Sequence, residues 1–440
     1  MKRSFMSREQ RQRGAATLVV VMVLFLVMAL LAAYANRSLM FEQRISGSYY
    51  RASMAQELAE GGVEWTLAML NGAALDDDCK PVATGGTRFV DKYLNVSAAD
   101  RATTSKVTTA LPGLAVDCSA TGAGLVCRCP AANARTTQPG TAVNGELVPS
   151  FGLALGTNTH YGSFQVIGYG CTDSSVDNCV FGDQEARSQK AAAMSLQKVS
   201  IGFVGAVPSS PAAPLTVKGV LTTLGAGGLG LHNTDPRSAG LLVVSGGGAP
   251  ALNEDRLDSV PGTPSSQARV FDDVYLHSLG NNTQDNTKFF RNFMGMAPSR
   301  YRNHPAAYEV ACAGGSCGTQ LLAAYDAGQR ILIVRGAMAV DSNVTLGTVA
   351  APVLIVVEGD VDIAGPMQLN GMLVVLGDLR WANGGGGGVS QVTGMVVVQG
   401  DMVADGRMDI VYRQSVASEL RNRVGSYARV SGGWIDEDTK

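Results

Sequence analysis

The sequence predicts an α+β fold in which one long N-terminal helix precedes a mostly β body. Three observations carry the prediction: an apolar run near the N-terminus, a helical stripe that extends it, and β-branched runs that recur late in the chain. Charged residues are only 16% of the chain and glycines number 53, which suits turn-rich β structure better than a helical globule. The net charge of −2 gives no electrostatic reason to expect a nucleic-acid partner.

The apolar run extends from Ala15 to Ala35 and is interrupted only by Thr17 and Tyr34. Its length is close to the ~20 residues that cross a hydrocarbon core. The preceding residues carry five bases and one acid, so we expect a single-pass anchor with its N-terminus in the cytoplasm. A cleavable secretory signal is the alternative, but its apolar stretch would be shorter, at ~7–15 residues.

An amphipathic stripe continues the predicted helix beyond this run, and Asn71-Gly72 is a helix stop. The stripe must pack on something, either the protein's own globular part or a bundle of similar helices. We expect helix packing through six of its residues, of which the alanines allow close approach. These are Leu39, Ile45, Ala52, Ala55, Ala59 and Val63.

The same residues resemble the N-terminus of type IV pilins. The stretch Arg13 to Leu18 is similar to a prepilin peptidase site, and Glu42–Gly47 with Ala55–Glu60 resembles the first helix of PilX-like minor pilins. The resemblance implies a basic leader over residues 1–14, cleavage after Gly14 and methylation of Ala15. Most pilins have Glu at the fifth mature position, whereas this chain has Val19, which speaks against a repeatedly added subunit.

The resemblance implies a minor pilin that primes pilus assembly or sits near the tip, without catalysis and without a cofactor. It places the chain in the inner membrane, with a periplasmic C-terminal region that is assembled into a surface pilus. The implied partners are other minor and major pilins, the prepilin peptidase, the inner-membrane assembly platform, a tip adhesin and membrane lipid.

Two other functions remain open at the level of sequence. The first is a pseudopilin of a type II secretion system, which would carry the same anchor. The second is a membrane-tethered β-helix enzyme that acts on polysaccharide, which would need a cleft of carboxylates and bases across several coils. Two motifs that suggest enzymes, G-x-G-x-x-G at Gly225–Gly230 and G-x-S-x-G at Gly314–Gly318, lack the flanking helix and the downstream His that their chemistry requires.

All eight cysteines follow the apolar run, and an even number in an exported chain predicts disulfides. Short loops favour Cys171 with Cys179 and Cys312 with Cys317. Cys79 and Cys118 are then the partners of Cys127 and Cys129, in either of two connectivities. A zinc site is the alternative, but the chain contains no Cys-x-x-Cys pair.

We divide the body into two regions. Residues 73–204 form a disulfide-containing domain, and residues 205–440 form a Gly-rich repeat domain with a helical insertion near residues 265–310. The helix-like Ser415–Val424 and then Trp434 are expected to cap the open end of the repeat, because a bare end would expose strand edges.

Four β-branched runs recur over residues 331–412, and each is followed by a glycine. The glycines are Gly336, Gly359, Gly377 and Gly400, at intervals of 23, 18 and 23 residues. This period predicts a parallel β-solenoid in which glycine supplies a positive φ at one corner; a β-sandwich is the alternative. Asp360, Asp378 and Asp401 each follow a corner glycine, so they should form a column that is a weak candidate for Ca²⁺.

Overall fold

The protein is described by a computed structural model over residues 12–107, 114–122, 124–132, 148–157, 161–180, 192–224, 228–280, 286–312, 316–383 and 388–437. The α-helices in these ranges are α1 (Gln12–Asn71), α2 (Phe89–Tyr93), α3 (Val176–Val180), α4 (Ser265–Ala268), α5 (Val274–Ser278), α6 (Lys288–Met294), α7 (Pro298–Tyr301), α8 (Gly318–Asp326) and α9 (Gln414–Asn422).

Helix α1 is continuous over 60 residues, which corresponds to a length of about 90 Å. Every side chain from Ala16 to Tyr50 is exposed, whereas one face of the helix is buried against the body of the protein from Ala55 onward. The predicted long N-terminal helix followed by a β-rich body is therefore confirmed.

The first part of the body is built from short strands and one antiparallel sheet. The strands are β1 (Ala74–Leu75), β2 (Thr87–Arg88), β3 (Leu94–Val96), β4 (Thr103–Ser105), β5 (Val116–Thr121), β6 (Gly124–Arg128), β7 (Ser150–Thr157), β8 (Ser163–Cys171) and β9 (Met194–Gly205). Strands β1 and β2 form one hairpin-like pair, and β3 and β4 form another.

Disulfides tie this part together. Cys118 on β5 lies directly opposite Cys127 on β6 and is bonded to it, and Cys79 is bonded to Cys129. The structure thus selects one of the two connectivities that the sequence left open. The short-loop pairs Cys171–Cys179 and Cys312–Cys317 are also bonded.

The second part of the body is parallel. Its strands are β10 (Leu215–Leu224), β11 (Leu229–Asn233), β12 (Val243–Gly247), β13 (Leu257–Ser259), β14 (Arg269–Val270), β15 (Ala307–Val310), β16 (Ile331–Val334), β17 (Met338–Val340), β18 (Val344–Leu346), β19 (Val353–Val357), β20 (Val361–Ile363), β21 (Met367–Val375), β22 (Leu379–Trp381), β23 (Gln391–Val398), β24 (Met402–Asp405) and β25 (Met408–Val411). The last strand, β26 (Gly425–Glu437), leaves this region.

Successive coils stack in register, as the sequence period predicts. Ile331 pairs with Leu354, Val353 with Gly371, and Gln368 with Gln391. These offsets reproduce the intervals of 23, 18 and 23 residues. The result is a solenoid-like parallel stack with an apolar interior, in place of the antiparallel sheets of a β-sandwich.

The spatial order of the coils differs from their order in sequence. Strand β10, the first of the region, pairs with β23 and β24, which belong to the last complete coil. From β10 the stack continues through β12 to β14 at one end, and through β23, β21, β19 and β16 to β15 at the other. The insertion between β14 and β15 therefore connects the two ends, so the chain enters and leaves the stack at neighbouring coils in its middle.

The role predicted for the corner glycines is corrected. Of the four, only Gly336 has a positive φ, at 80°. The others are required by close approach between coils: a Cβ on Gly377 would lie 2.2 Å from Asp360 Oδ1, and one on Gly400 would lie 2.1 Å from Asp378 Oδ1. Glycine recurs there because the preceding coil occupies the space of a side chain.

The predicted C-terminal cap is also wrong. Helix α9 packs on β21 and β23 at the side of the stack, through buried Val416, Ala417 and Leu420. Strand β26 then pairs antiparallel with β9 and becomes the edge of the sheet β26-β9-β8-β7-β5-β6, with Trp434 59% exposed. The chain leaves the solenoid in its middle, and the tail packs beside the stack and not at either end. The last strand therefore belongs to the antiparallel region rather than to the repeat.

Candidate functional site

The second half of α1 is docked on the antiparallel sheet. Ala55, Ala59 and Val63 are fully buried, and the helix contacts β7, β8, β9 and β26. Small side chains at these positions bring the helix backbone close to the strand backbone. This docking fixes the direction in which the first half of the helix projects from the body.

Two glycines of β8 make the close approach possible. A Cβ on Gly170 would lie 1.8 Å from the carbonyl oxygen of Ala55, and one on Gly168 would lie 2.5 Å from that of Ala59. On the helix side, a Cβ on Gly62 would lie 2.8 Å from the Phe151 ring. Glycine inside a strand marks a site where another backbone comes near, so Gly168 and Gly170 carried a signal that the sequence reasoning did not use.

Ion pairing and aromatic packing hold the same interface. Glu64 on α1 pairs with Arg429 on β26 at 2.7 Å. The Trp65 ring packs edge-on against Phe89, with ring centroids 5.9 Å apart, and also packs against Phe151. The first helix is thus fastened both to the sheet and to the last strand.

The structure divides the predicted packing stripe into two groups. Ala55, Ala59 and Val63 pack on the protein's own sheet, which is the first of the two alternatives that the stripe left open. The sheet buries them completely, and no neighbour could reach them without undocking the helix. Leu39, Ile45 and Ala52 are exposed and remain available for such contacts.

The exposed group belongs to a larger apolar surface. We call it the exposed belt: Leu39, Met40, Phe41, Ile45, Tyr49 and Tyr50, which are 53–73% exposed. It follows the apolar run, and α1 is the one helix among the described residues that is long and apolar enough to cross a membrane. Since the run from Ala15 to Ala35 already supplies the ~20 residues of a membrane span, the belt lies beyond it. Exposed apolar surface of this kind, which the body leaves uncovered, marks an interaction site.

The family model for the PilX N-terminal region matches residues 13–64. The match covers the apolar run, the exposed belt and most of the docked half of α1. The N-terminal segment of the chain is type IV pilin-like. The assignment confirms the resemblance that the N-terminal motifs indicated, and a pilin-type apolar helix suits membrane anchoring and contact with other pilins.

The pilin-like assignment rests on this N-terminal segment. The solved structure of the competence-associated pilin ComZ from Thermus thermophilus aligns with 88% of this chain and 98% of its own, at 10% sequence identity and a TM-score of 0.22. A TM-score this low carries no argument about the body. No curated protein matches the chain.

The predicted processing residues, Gly14 and Ala15, lie in the first turn of α1 as described, and residues 1–11 of the leader lie outside the described residues. Cleavage after Gly14 and methylation of Ala15 therefore stay predictions.

The aspartate column has a structural role that the sequence did not suggest. Asp360 Oδ1 accepts a hydrogen bond from the Asp378 backbone N–H at 2.9 Å, and Asp378 Oδ1 accepts one from the Asp401 N–H at 2.8 Å. Asp401 Oδ1 in turn accepts from the Val220 N–H at 2.8 Å, which links the last coil to the first. We call these three residues the aspartate ladder. Within the described residues, no group of three or more His, Cys, Asp or Glu side chains is arranged to hold a metal ion.

The structure adds no support for an enzymatic role of the two enzyme-like motifs. Ser316 donates a hydrogen bond to Asp341 Oδ1 at 2.6 Å, next to the Cys312–Cys317 disulfide. Gly228 and Gly230 lead into strand β11 rather than into a helix. Gly225–Gly227 and Gly314–Gly315 lie outside the described residues.

Proposed function

We propose that this chain is a minor pilin of a type IV pilus, in which α1 packs among other pilin helices and the body is displayed outside. The observation that carries the proposal is the exposed belt. A helix that served only as a membrane tether would gain nothing from an apolar surface beyond the span, since water-exposed apolar area is unfavourable unless a partner covers it. Helices of other pilins are partners of matching shape.

A position near the tip, or a role in priming assembly, is the finer part of the proposal. A single helix here carries a body with a six-stranded antiparallel sheet and a stack of coils, which leaves little room for many identical neighbours around a filament. Val19 at the fifth mature position points the same way, because it offers no carboxylate to a neighbour's amino terminus. Both arguments favour a subunit that is used in few copies.

Processing and partners follow from the same proposal. The prepilin peptidase would cleave after Gly14, the assembly platform of the inner membrane would extract the helix, and a tip adhesin would be a neighbour. The body would lie in the periplasm before assembly. N-terminal sequencing of membrane-extracted protein should give Ala15 as the first residue, and Gly14→Val should leave the leader attached.

The assembly role is tested on the belt. Ile45→Asp should leave the protein folded and in the membrane but lower its amount in sheared pili severalfold, because an unpaired charge would be desolvated at a helix contact. Gln43→Asp is the matched control, since it adds the same charge two residues away at a position that is already polar. Ala59→Lys is unsuitable because Ala59 is buried under the protein's own sheet.

Quantitative blotting of membrane and sheared fractions decides the question. If Ile45→Asp and Gln43→Asp enter pili equally well, the belt is not an assembly surface and the proposal fails.

A further inference from the structure

A polar groove lies on one face of the solenoid, away from α1 and its docking surface. It crosses four neighbouring coils, carried by β23, β25, β11 and β13, which pair side by side in parallel. The groove encloses about 490 Å³. Adjacent coils are ~4.8 Å apart, so the coils of β25 and β13, which are separated by that of β11, lie about 10 Å apart.

The strand register places two outward rows of side chains in this groove. The first row is Gln391, Asp409 and Gly230, and Arg256 extends it from the turn before β13; the second is Val411, His232 and Asp258. Between the rows, Val392, Ile410 and Leu231 point inward and are fully buried. The interior of this face is therefore apolar, and most of the side chains that line the groove are polar.

The floor of the groove is a fixed polar cluster. Because Gly230 has no side chain, Arg256 reaches across it and donates from Nη2 to Asp409 Oδ1 at 2.6 Å and to the Met408 carbonyl at 3.1 Å. His232 donates from Nε2 to the same Asp409 oxygen at 3.1 Å. A Cβ on Gly230 would lie 2.0 Å from Asp409 Oδ1 and would close this passage.

The two walls carry opposite charges. Arg407 and Arg413 are exposed on the coil of β25, and Asp255 and Asp258 are exposed beside β13. Among the described residues none of these four side chains forms an ion pair. With the Arg256–Asp409 pair on the floor, three arginines balance three aspartates. One wall therefore offers hydrogen-bond donors, the other acceptors, and the whole attracts neither anions nor cations.

We propose that this groove binds a neutral oligosaccharide. Sugar hydroxyls both donate and accept, so they are matched by a donor wall facing an acceptor wall, whereas a nucleic acid or a polyanionic glycan would require an excess of arginine. Tyr412 at the rim supplies an aromatic face for the apolar side of a pyranose ring. The inference does not depend on the proposed pilus role.

The test uses the full chain in detergent micelles without sugar headgroups. Binding of neutral hexasaccharides of glucose, mannose and galactose is measured by calorimetry, with hexagalacturonate and a neutral hexapeptide as competitors of other chemistry. Arg413→Ala and Asp258→Ala, one on each wall, should each weaken binding about tenfold, because each removes hydrogen bonds from a charged group. Arg380→Ala, an exposed arginine on another face of the same solenoid, is the matched control.

Binding of at least one neutral hexasaccharide that both wall variants weaken and Arg380→Ala does not would support the proposal. Three results would overturn it: no neutral saccharide bound by the folded protein, equal binding by wild type and both wall variants, or binding of hexagalacturonate or the peptide alone. If a wall variant fails to give a wild-type circular dichroism spectrum, Arg407→Ala replaces Arg413→Ala and Asp255→Ala replaces Asp258→Ala, since both side chains are exposed.

Discussion

Asn71, the last residue of α1, exchanges two hydrogen bonds with the backbone of Tyr427, which lies 356 residues away on β26. Asn71 Oδ1 accepts from the Tyr427 N–H at 2.8 Å, and Nδ2 donates to the Tyr427 carbonyl at 2.9 Å. The Asn71 side chain thus makes with the edge strand β26 the pair of hydrogen bonds that a neighbouring strand would make. The end of the first helix and the start of the last strand are thus a single structural unit.

Asn71→Ala should lower the free energy of unfolding by about 1–3 kcal/mol, because it leaves partly buried backbone groups of Tyr427 without partners. Asn71→Asp keeps the acceptor and loses the donor, so its effect should be intermediate. Asn95→Ala, at an exposed asparagine on β3, should change stability by less than about 0.5 kcal/mol. Chemical unfolding measures all three, and equal stability of Asn71→Ala and Asn95→Ala would contradict the prediction.

Gly170→Ala should undock α1 from the sheet, because the new Cβ would lie 1.8 Å from a helix carbonyl. We expect a loss of about 3 kcal/mol or more, at the upper end for overpacking, since backbone rather than a flexible side chain must move. Gly156→Ala on neighbouring β7 is the control, because its Cβ would meet Gln165 at 3.4 Å, an ordinary contact. Limited proteolysis near residue 51 should be faster in Gly170→Ala alone; equal rates in the two variants would argue against backbone contact.

The aspartate ladder predicts a difference between two substitutions of one residue. Asp378→Ala removes the acceptor of the Asp401 N–H and should cost about 1 kcal/mol, whereas Asp378→Asn retains an oxygen there and should cost less. Thermal unfolding with and without excess CaCl₂ is the measurement. If the column bound Ca²⁺ instead, calcium would raise the melting temperature of the wild type, and Asp378→Asn would abolish that rise.

Asp117 predicts a pH dependence of stability. It is 1% exposed on β5, and burial, with a smaller contribution from the charge of Asp177, raises the pKa of its carboxyl from 3.8 to about 7. The folded state therefore holds the proton more tightly than the unfolded state. The stabilisation is fully present below pH ~4 and is lost as the pH rises to about 7, on the order of a few kcal/mol.

Asp117→Asn should remove this dependence, so that the variant gains stability relative to wild type between pH 5 and pH 8. Asp91→Asn, at an exposed carboxylate on α2, should follow the wild-type curve. Unfolding by urea at several pH values provides the comparison. A wild-type curve that rises with pH over this range in parallel with Asp117→Asn would refute the assignment.

The sequence predicted the local features of the repeat but not their arrangement. The intervals between Gly336, Gly359, Gly377 and Gly400 predicted parallel stacking because each coil must place the same residue types at the same corner. These runs do not determine which coils are neighbours, because all of them have the same β-branched pattern. The contact of β10 with β23 therefore could not be derived, and neither could the position of β26.

The packing partner of α1 was likewise beyond what the sequence could predict. Its stripe predicted that α1 packs on something, but alanines such as Ala55 and Ala59 suit a neighbouring helix and a glycine-lined strand equally well. The deciding residues, Gly168 and Gly170, lie more than a hundred positions away. Only the structure reveals that they face the helix.

The entry and exit of the solenoid at neighbouring coils determine how the protein would carry tension. A pull between α1 and the body would pass through β9 and β26, whose paired ends, Gly205 and Gly425, lead to the first and last coils. The load would be shared by two covalent connections that start side by side, and it would act across the junction of those two coils. The remaining coils form a closed loop beyond that junction, so a retracting filament could strain the attachment without unwinding the stack.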